Sequence, residues 1–282
     1  MGNIIKITNM KKLAVIALAA LVLLAPSCKN QNKKAAQEAE PVDLSSQEAI
    51  LKADLQVNLE NLMESAKKMK PLPFVSASKE GKITLSNKEK AVKPDFLLNG
   101  AVVNDLVTLS QKYRACAMLG ADLVVANLYE MPATDIKDGI AKALVDISDP
   151  ALEIFAATPW GSTEDASLAL EALLKDEYEA DRANFFWESA AASMVEQLYI
   201  VTRDIDKFMP MFDDESAADV TFNFICVHEG IMSLMDVYPE LQSLNTVMEP
   251  LYVINAISAE QLKEQLTTLK GSIEGAREAL LK

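Results

Sequence analysis

With one histidine in the chain, multi-histidine chemistry is closed to it. That residue is His228, so zinc sites built on several histidines are excluded, as are the paired Glu-x-x-His motifs that hold two irons in a helical bundle. His228-Glu229 lacks the second histidine that a metalloprotease helix requires. No Gly-x-Ser-x-Gly elbow, phosphate-binding Gly-rich loop or dinucleotide fingerprint is present. What remains are polar residues set in apolar stretches: Asp122 in Gly120-Ala-Asp-Leu-Val-Val-Ala-Asn127, Glu196 in Met194-Val-Glu-Gln-Leu198, and His228 with Glu229 in Ile225-Cys-Val-His-Glu-Gly-Ile231. A buried carboxylate is costly unless paired. Convergence of Asp122, Glu196, His228 and Glu229 would therefore make a site for a metal ion or a small polar ligand. The competing arrangement leaves them on exposed faces, or sets them against Arg114, Arg182 or Arg203 as ion pairs that fix helix register.

Sulfur adds less. Cys116 and Cys226 could pair in an oxidising compartment, but each lies on an apolar seam where a free thiol packs as a small hydrophobe. Without a Cys-x-x-Cys spacing, a bond between them would be structural rather than redox-active. Met209-Pro-Met211 could attract copper(I), and hydrophobic packing around a helix-ending proline competes with that. Asp213-Asp-Glu215 suits the start of a helix, where acids meet the positive end of the dipole, better than it suits calcium. No enzyme signature stands, and the sequence implies no metal and no cofactor.

The elements that must position these residues are helices. Only nine glycines and 6% aromatics occur among 282 residues, while Ala and Leu dominate, which favours helix over sheet. Apolar residues recur at 4-3-4-3 spacing in four runs: Val102 to Leu123, Trp187 to Phe208, Val220 to Tyr238 and Leu262 to Leu280. Each predicts a long helix with one buried face. Leu55, Leu59, Leu62, Ala66 and Met69 predict a fifth, opened by the capping box Ser45-Ser-Gln-Glu48; Ser258-Ala-Glu-Gln261 opens the last helix likewise. Shorter helices are expected over Ile136–Ile147, over Asp165–Glu179 and after Pro239. The expected fold is all-α: about eight helices in antiparallel hairpins, forming a closed bundle or a curved stack. One stretch departs from this pattern. Phe74-Val-Ser-Ala-Ser78 and Ile83-Thr-Leu-Ser86 flank Lys79-Glu-Gly-Lys82 in the manner of a small β-hairpin near 74–86, with a surface excursion as the competing reading.

The start of the chain has a different character. Lys11 and Lys12 precede an apolar run from Leu13 to Ala25, as in a secretory signal peptide. As a helix that run would be about 20 Å long, short of the roughly 30 Å core of a bilayer. Ala25-Pro26-Ser27-Cys28 follows and resembles the lipobox of bacterial lipoproteins, in which a peptidase cuts before a lipid-modified cysteine. That family usually has Leu three residues before the cysteine, where this sequence has Ala25. Ordinary signal-peptidase cleavage after Ser27 is the alternative. The resemblance implies a signal peptide over 1–27, acylation of Cys28 and anchoring by its fatty chains, each buried methylene contributing about 0.8 kcal/mol. Residues 28–42 have no large apolar residue before Val42 and read as a flexible tether; 43–282 reads as one helical domain. Lys29, and the lack of an early acidic cluster, point to the outer membrane on its periplasmic face.

The formal charge of −14 excludes nucleic acid as a partner class. Lys93-Pro-Asp-Phe-Leu-Leu98, Lys112-Tyr-Arg-Ala115, Leu128-Tyr-Glu-Met-Pro132 and Glu196-Gln-Leu-Tyr199 together resemble uncharacterised helical lipoproteins of gut Bacteroidota, a likeness that implies location and fold and carries no activity. The expectation is a bilayer-tethered helical module that binds an envelope protein. A periplasmic carrier of a small ligand or metal is the alternative, and an enzyme without a known signature a further one.

Overall fold

The computed structural model describes residues 60–70, 72–75, 85–157 and 172–282. Cys28, the tether, Leu55, Leu59, the Ser45 capping box and residues 158–171 lie outside them. Among the described residues the chain is helical and contains no strand. Phe74 and Val75, expected to begin a hairpin strand, sit instead in a helical turn and are fully buried; the rest of the expected hairpin loop, 76–84, lies outside the described residues.

The main helices are α1 (Leu109–Leu128), α2 (Thr134–Ile147), α3 (Pro150–Ala157), α4 (Ala183–Arg203), α5 (Asp214–Leu234), α6 (Leu241–Met248) and α7 (Ala259–Leu280). Residues 60–66 and 172–179 are also helical. Short pieces such as Asn87–Ala91 and the 3-10 turns Gly100–Asp105 and Glu249–Leu251 take the helical segments past the expected eight. Start signals are local. Thr108 accepts from the Gln111 N–H while Gln111 reaches back to the Thr108 N–H, and Asp213 and Ser216 reciprocate in the same way at α5, satisfying donors that a helix N-terminus leaves free. Ser258 caps α7, but Gln261 accepts from the Ile257 N–H rather than closing the expected box. Stop signals are left-handed residues, Glu130 (φ 51°), Ser148 (φ 52°) and Asp181 (φ 59°). After Glu130 and Asp181, the Met131 and Arg182 N–H groups donate back to Ala126 and Glu177 carbonyls.

Three of the four seams outrun their helices: α1 begins only at Leu109, α4 ends at Arg203 and α5 at Leu234. Leu106 and Val107 are extended between the 3-10 turn and α1, so Val102 and Leu106 belong to a separate element. That element lies directly on α2. A Cβ on Gly100 would come within 1.9 Å of the Asp135 carbonyl oxygen, and one on Gly139 within 2.6 Å of Gly100 Cα. Only two glycines permit such an approach.

α4 is the axis of the fold. Of its 21 residues, 18 are buried, as expected of a helix enclosed by others rather than lying on a surface. α1, α7, α5 and α6 pack around it, which is the bundle arrangement rather than the stack. α5 returns antiparallel to α4, since Gly230 lies against Trp187 while Asn223 and Gln197 line a common void. α1 runs in the same direction as α4: Ser110 meets Glu188 at one end and Asp122 meets Glu196 further on. No helix among the described residues is long and apolar enough to cross a membrane.

Candidate functional site

Enclosing α4 forces its polar residues to find partners inside. Glu196, with its side chain fully buried, receives Arg277 of α7 in a two-pronged ion pair, Nε to Oε2 at 2.7 Å and Nη2 to Oε1 at 2.9 Å. This planar match is what a guanidinium offers a carboxylate and an ammonium does not. The same Nη2 donates to the Phe96 carbonyl at 3.1 Å, and the guanidinium stands 4.0 Å from the centre of the Tyr199 ring. From α1, Asp122 Oδ2 accepts the Leu98 N–H at 2.8 Å. Its buried Oδ1 has no hydrogen-bond partner, and the carboxyl lies close to that of Glu196. Two carboxyl groups in contact with each other cannot both be ionised in a dry interior. Desolvation and then the neighbouring Glu196 charge raise Asp122 well above the usual carboxylate range. Desolvation raises Glu196 too, opposed by Arg277. Asp122 is therefore the acid that holds the proton, with Glu196 ionised beside it. The cluster ties the 96–98 loop to α1, α4 and α7.

A second polar network closes one end of the bundle. Asp149, just before α3, accepts the Ala151 and Leu152 N–H groups at 2.9 and 3.3 Å, Arg182 Nη1 at 3.1 Å, and the Tyr113 hydroxyl. Against its desolvation, the bonds from Glu177 and Tyr113 hold Asp149 below the ordinary value. Desolvation, followed by the bond to Asp149, pushes Glu177 up to about 9. Here too an acid is held neutral beside an ionised one, and Glu177 Oε2 is buried without a hydrogen-bond partner. Phe185 stacks on Tyr113 with centroids 4.5 Å apart. Beside it, Glu188 accepts from Ser110 at 2.9 Å and Asn184 at 3.3 Å and faces Arg114 at 3.8 Å. Desolvation raises Glu188 despite these partners. Arg114 Nε and Glu188 Oε2 are buried without a hydrogen bond.

Of the four polar residues expected to converge, Asp122 and Glu196 meet at the α1, α4 and α7 junction. His228 lies on the outer side of α5, its ring tilted 39° to that of Tyr252 with centroids 4.1 Å apart, and Glu229 beside it is exposed. Cys116 and Cys226 are both free and buried, and desolvation pushes each thiol up to about 12. Arg114 and Arg182 do pair with carboxylates, Glu188 and Asp149, and Arg203 stands 4.0 Å from Glu274. The decisive arginine, Arg277, gave no sequence signal, being one basic residue in the charged run Glu274-Gly-Ala-Arg-Glu278. Glu188 was legible in principle, as a carboxylate between Trp187 and Ala190.

Among the described residues, no group of three or more His, Cys, Asp or Glu is placed to hold a metal ion. A void of about 10 Å³ lies between Leu72, Gln197 and Asn223, with Lys70 and Met194 beside it, room for one water molecule. The buried acids hold the protein's own loops and helix ends in place. No family model matches the chain, and no curated protein or solved structure matches it.

Proposed function

We propose that this chain is a lipid-anchored envelope protein, acylated at Cys28, on the periplasmic face of the outer membrane, and that its helical domain is a binding or scaffold module. The anchor rests on the signal-like run and the lipobox-like Ala25-Pro26-Ser27-Cys28. One observation carries the binding reading: four of the nine exposed large apolar side chains among the described residues lie on α5 and the connector packed beside it. Ile225 (50% exposed) and Met232 (47%) lie on α5, and Val253 (60%) and Ile257 (72%) lie on the connector beside it. Single exposed hydrophobics are ordinary; a group on one face marks a contact surface.

Two measurements test this. Intact mass and detergent-phase partitioning of wild type and Cys28→Ser from native membranes should show an acyl mass that the substitution removes. An unmodified, soluble mature chain would end the anchor proposal. A photocrosslinking residue at Ile225 should give intermolecular adducts in cells, and one at Val145, 73% exposed on α2, should not. Equal labelling from both positions would refute a dedicated face.

A further inference from the structure

The outer face of α5 has the geometry of one half of a helix pair. Neighbouring segments wall it on two sides. On one, Cys226 approaches the Ser65 carbonyl at 3.8 Å and Asn223 makes both bonds to the Lys70 backbone. On the other, the connector runs back along the helix: Tyr252 lies against His228, Thr221 donates to the Ala256 carbonyl at 2.8 Å, and Asp214 accepts the Ala259 N–H at 3.0 Å. Between these walls the residues facing outward are Ala218, Phe222, Ile225, Glu229 and Met232, exposed except for the partly buried Phe222. Their spacing is 4-3-4-3, the seam spacing of paired helices, and it spans about 20 Å of helix. Glu229 stands in the middle of that seam and makes no ion pair among the described residues.

Charge selects the occupant. From Phe208 to Leu262 the sequence has no Lys or Arg and nine acids, and this stretch builds α5, α6 and the connector; the opposite wall carries Lys67, Lys68 and Lys70, of which Lys70 pairs with Glu215 and Asp219, so acids remain in excess along the face. A second copy would bring like charge to like charge, and anionic lipid would be repelled, whereas a basic partner is attracted and its Lys or Arg would neutralise Glu229. We infer that the α5 face receives a cationic amphipathic helix of a partner protein, with a Lys or Arg interrupting its apolar seam opposite Glu229. This rests on the binding reading above and adds to it the chemistry of the partner.

The test uses the mature chain carrying Cys28→Ser and two synthetic 18-residue helical peptides. Both have leucines at seam spacing; one has lysines at the remaining charged positions and at the central seam position, and its twin has glutamates. Fluorescence anisotropy should show at least ten-fold tighter binding of the lysine peptide, with a gap that narrows as salt rises. Glu229→Lys should reverse the preference. Ile225→Ala with Met232→Ala should weaken both peptides at an unchanged melting temperature, and Val145→Ala should change neither. Equal affinity for the twins, or an unchanged preference in Glu229→Lys, overturns the charge inference and leaves the binding face standing. Binding of neither peptide, together with no adducts from Ile225, overturns both. A dimer in ultracentrifugation that Glu229→Lys dissolves assigns the face to a second copy. Adducts from Ile225 to residues 43–59 assign it to the chain itself, and stronger binding to phosphatidylglycerol vesicles than to the lysine peptide assigns it to lipid. Each of these three results overturns the inference.

Discussion

Replacing Arg277 by alanine isolates what the central cluster contributes. Glu196 is fully buried and loses both of its charge-assisted hydrogen bonds, and the Phe96 carbonyl loses a donor. Breaking a buried pair from one side costs about 3–5 kcal/mol, which in a domain of this size lowers the melting temperature by roughly 2–4 °C per kcal/mol. The loss depends on pH with a definite sign. Desolvation already raises Glu196 in the folded state, and Arg277 opposes that rise; without the arginine the folded carboxyl holds its proton further above the unfolded value of about 4.3. A group raised in the folded state contributes stability that is fully present below its unfolded pKa and fades as pH climbs through its folded pKa. Arg277→Ala should therefore be mildly destabilising at pH 5 and most destabilising at pH 8. Urea unfolding at both pH values measures this, with Arg277→Ala/Glu196→Gln expected to recover much of the loss by removing the stranded charge. A loss below about 1 kcal/mol at pH 8, or equal losses at the two pH values, would refute the assignment of Arg277 as the partner that keeps Glu196 ionised.

Other consequences can be checked on the same unfolding assay. Glu177→Gln removes a carboxyl raised to about 9; its stability should fall less than wild type between pH 5 and 9, because that proton is no longer bound only in the folded state. Gly271 and Gly275 have nothing within 4 Å of an added Cβ, so alanine at either should raise stability by about 0.5–1 kcal/mol. Gly139→Ala should lower it by about 2 kcal/mol or more, because its Cβ would meet the Gly100 backbone. Ellman's reagent should titrate neither Cys116 nor Cys226 in the native protein and both in urea; two thiols missing even in urea would reveal a disulfide.

Periodicity alone located the long helices α4, α5 and α7, because an apolar stripe every three or four residues is a local consequence of burying one face. The helix starts near Asp213 and at Ser258 were legible for the same reason, since acids and capping residues act within one turn. The break at Leu106 was not, because Leu106 is buried and Val102 partly so, as residues of a helical seam would be. Their spacing records burial, and the 3-10 turn follows from the Gly100 and Gly139 backbones meeting. Phe74 and Val75 likewise suit a strand by type, yet both are fully buried in a helical turn in the fold.

The sequence by itself determined the helical class, the negative charge and the presence of carboxylates where apolar residues were expected, since each depends on composition or on neighbours within a turn. Tertiary structure decided which of those carboxylates meet. Asp122 and Glu196 do because α1 runs alongside α4, while His228 and Glu229 sit on a face of α5 turned away from the core. Arg277 completes the cluster from 81 residues further along the chain. Nothing local marks such a partner, because the cost of an unpaired buried charge is set by the folded surroundings and not by the residues on either side of it.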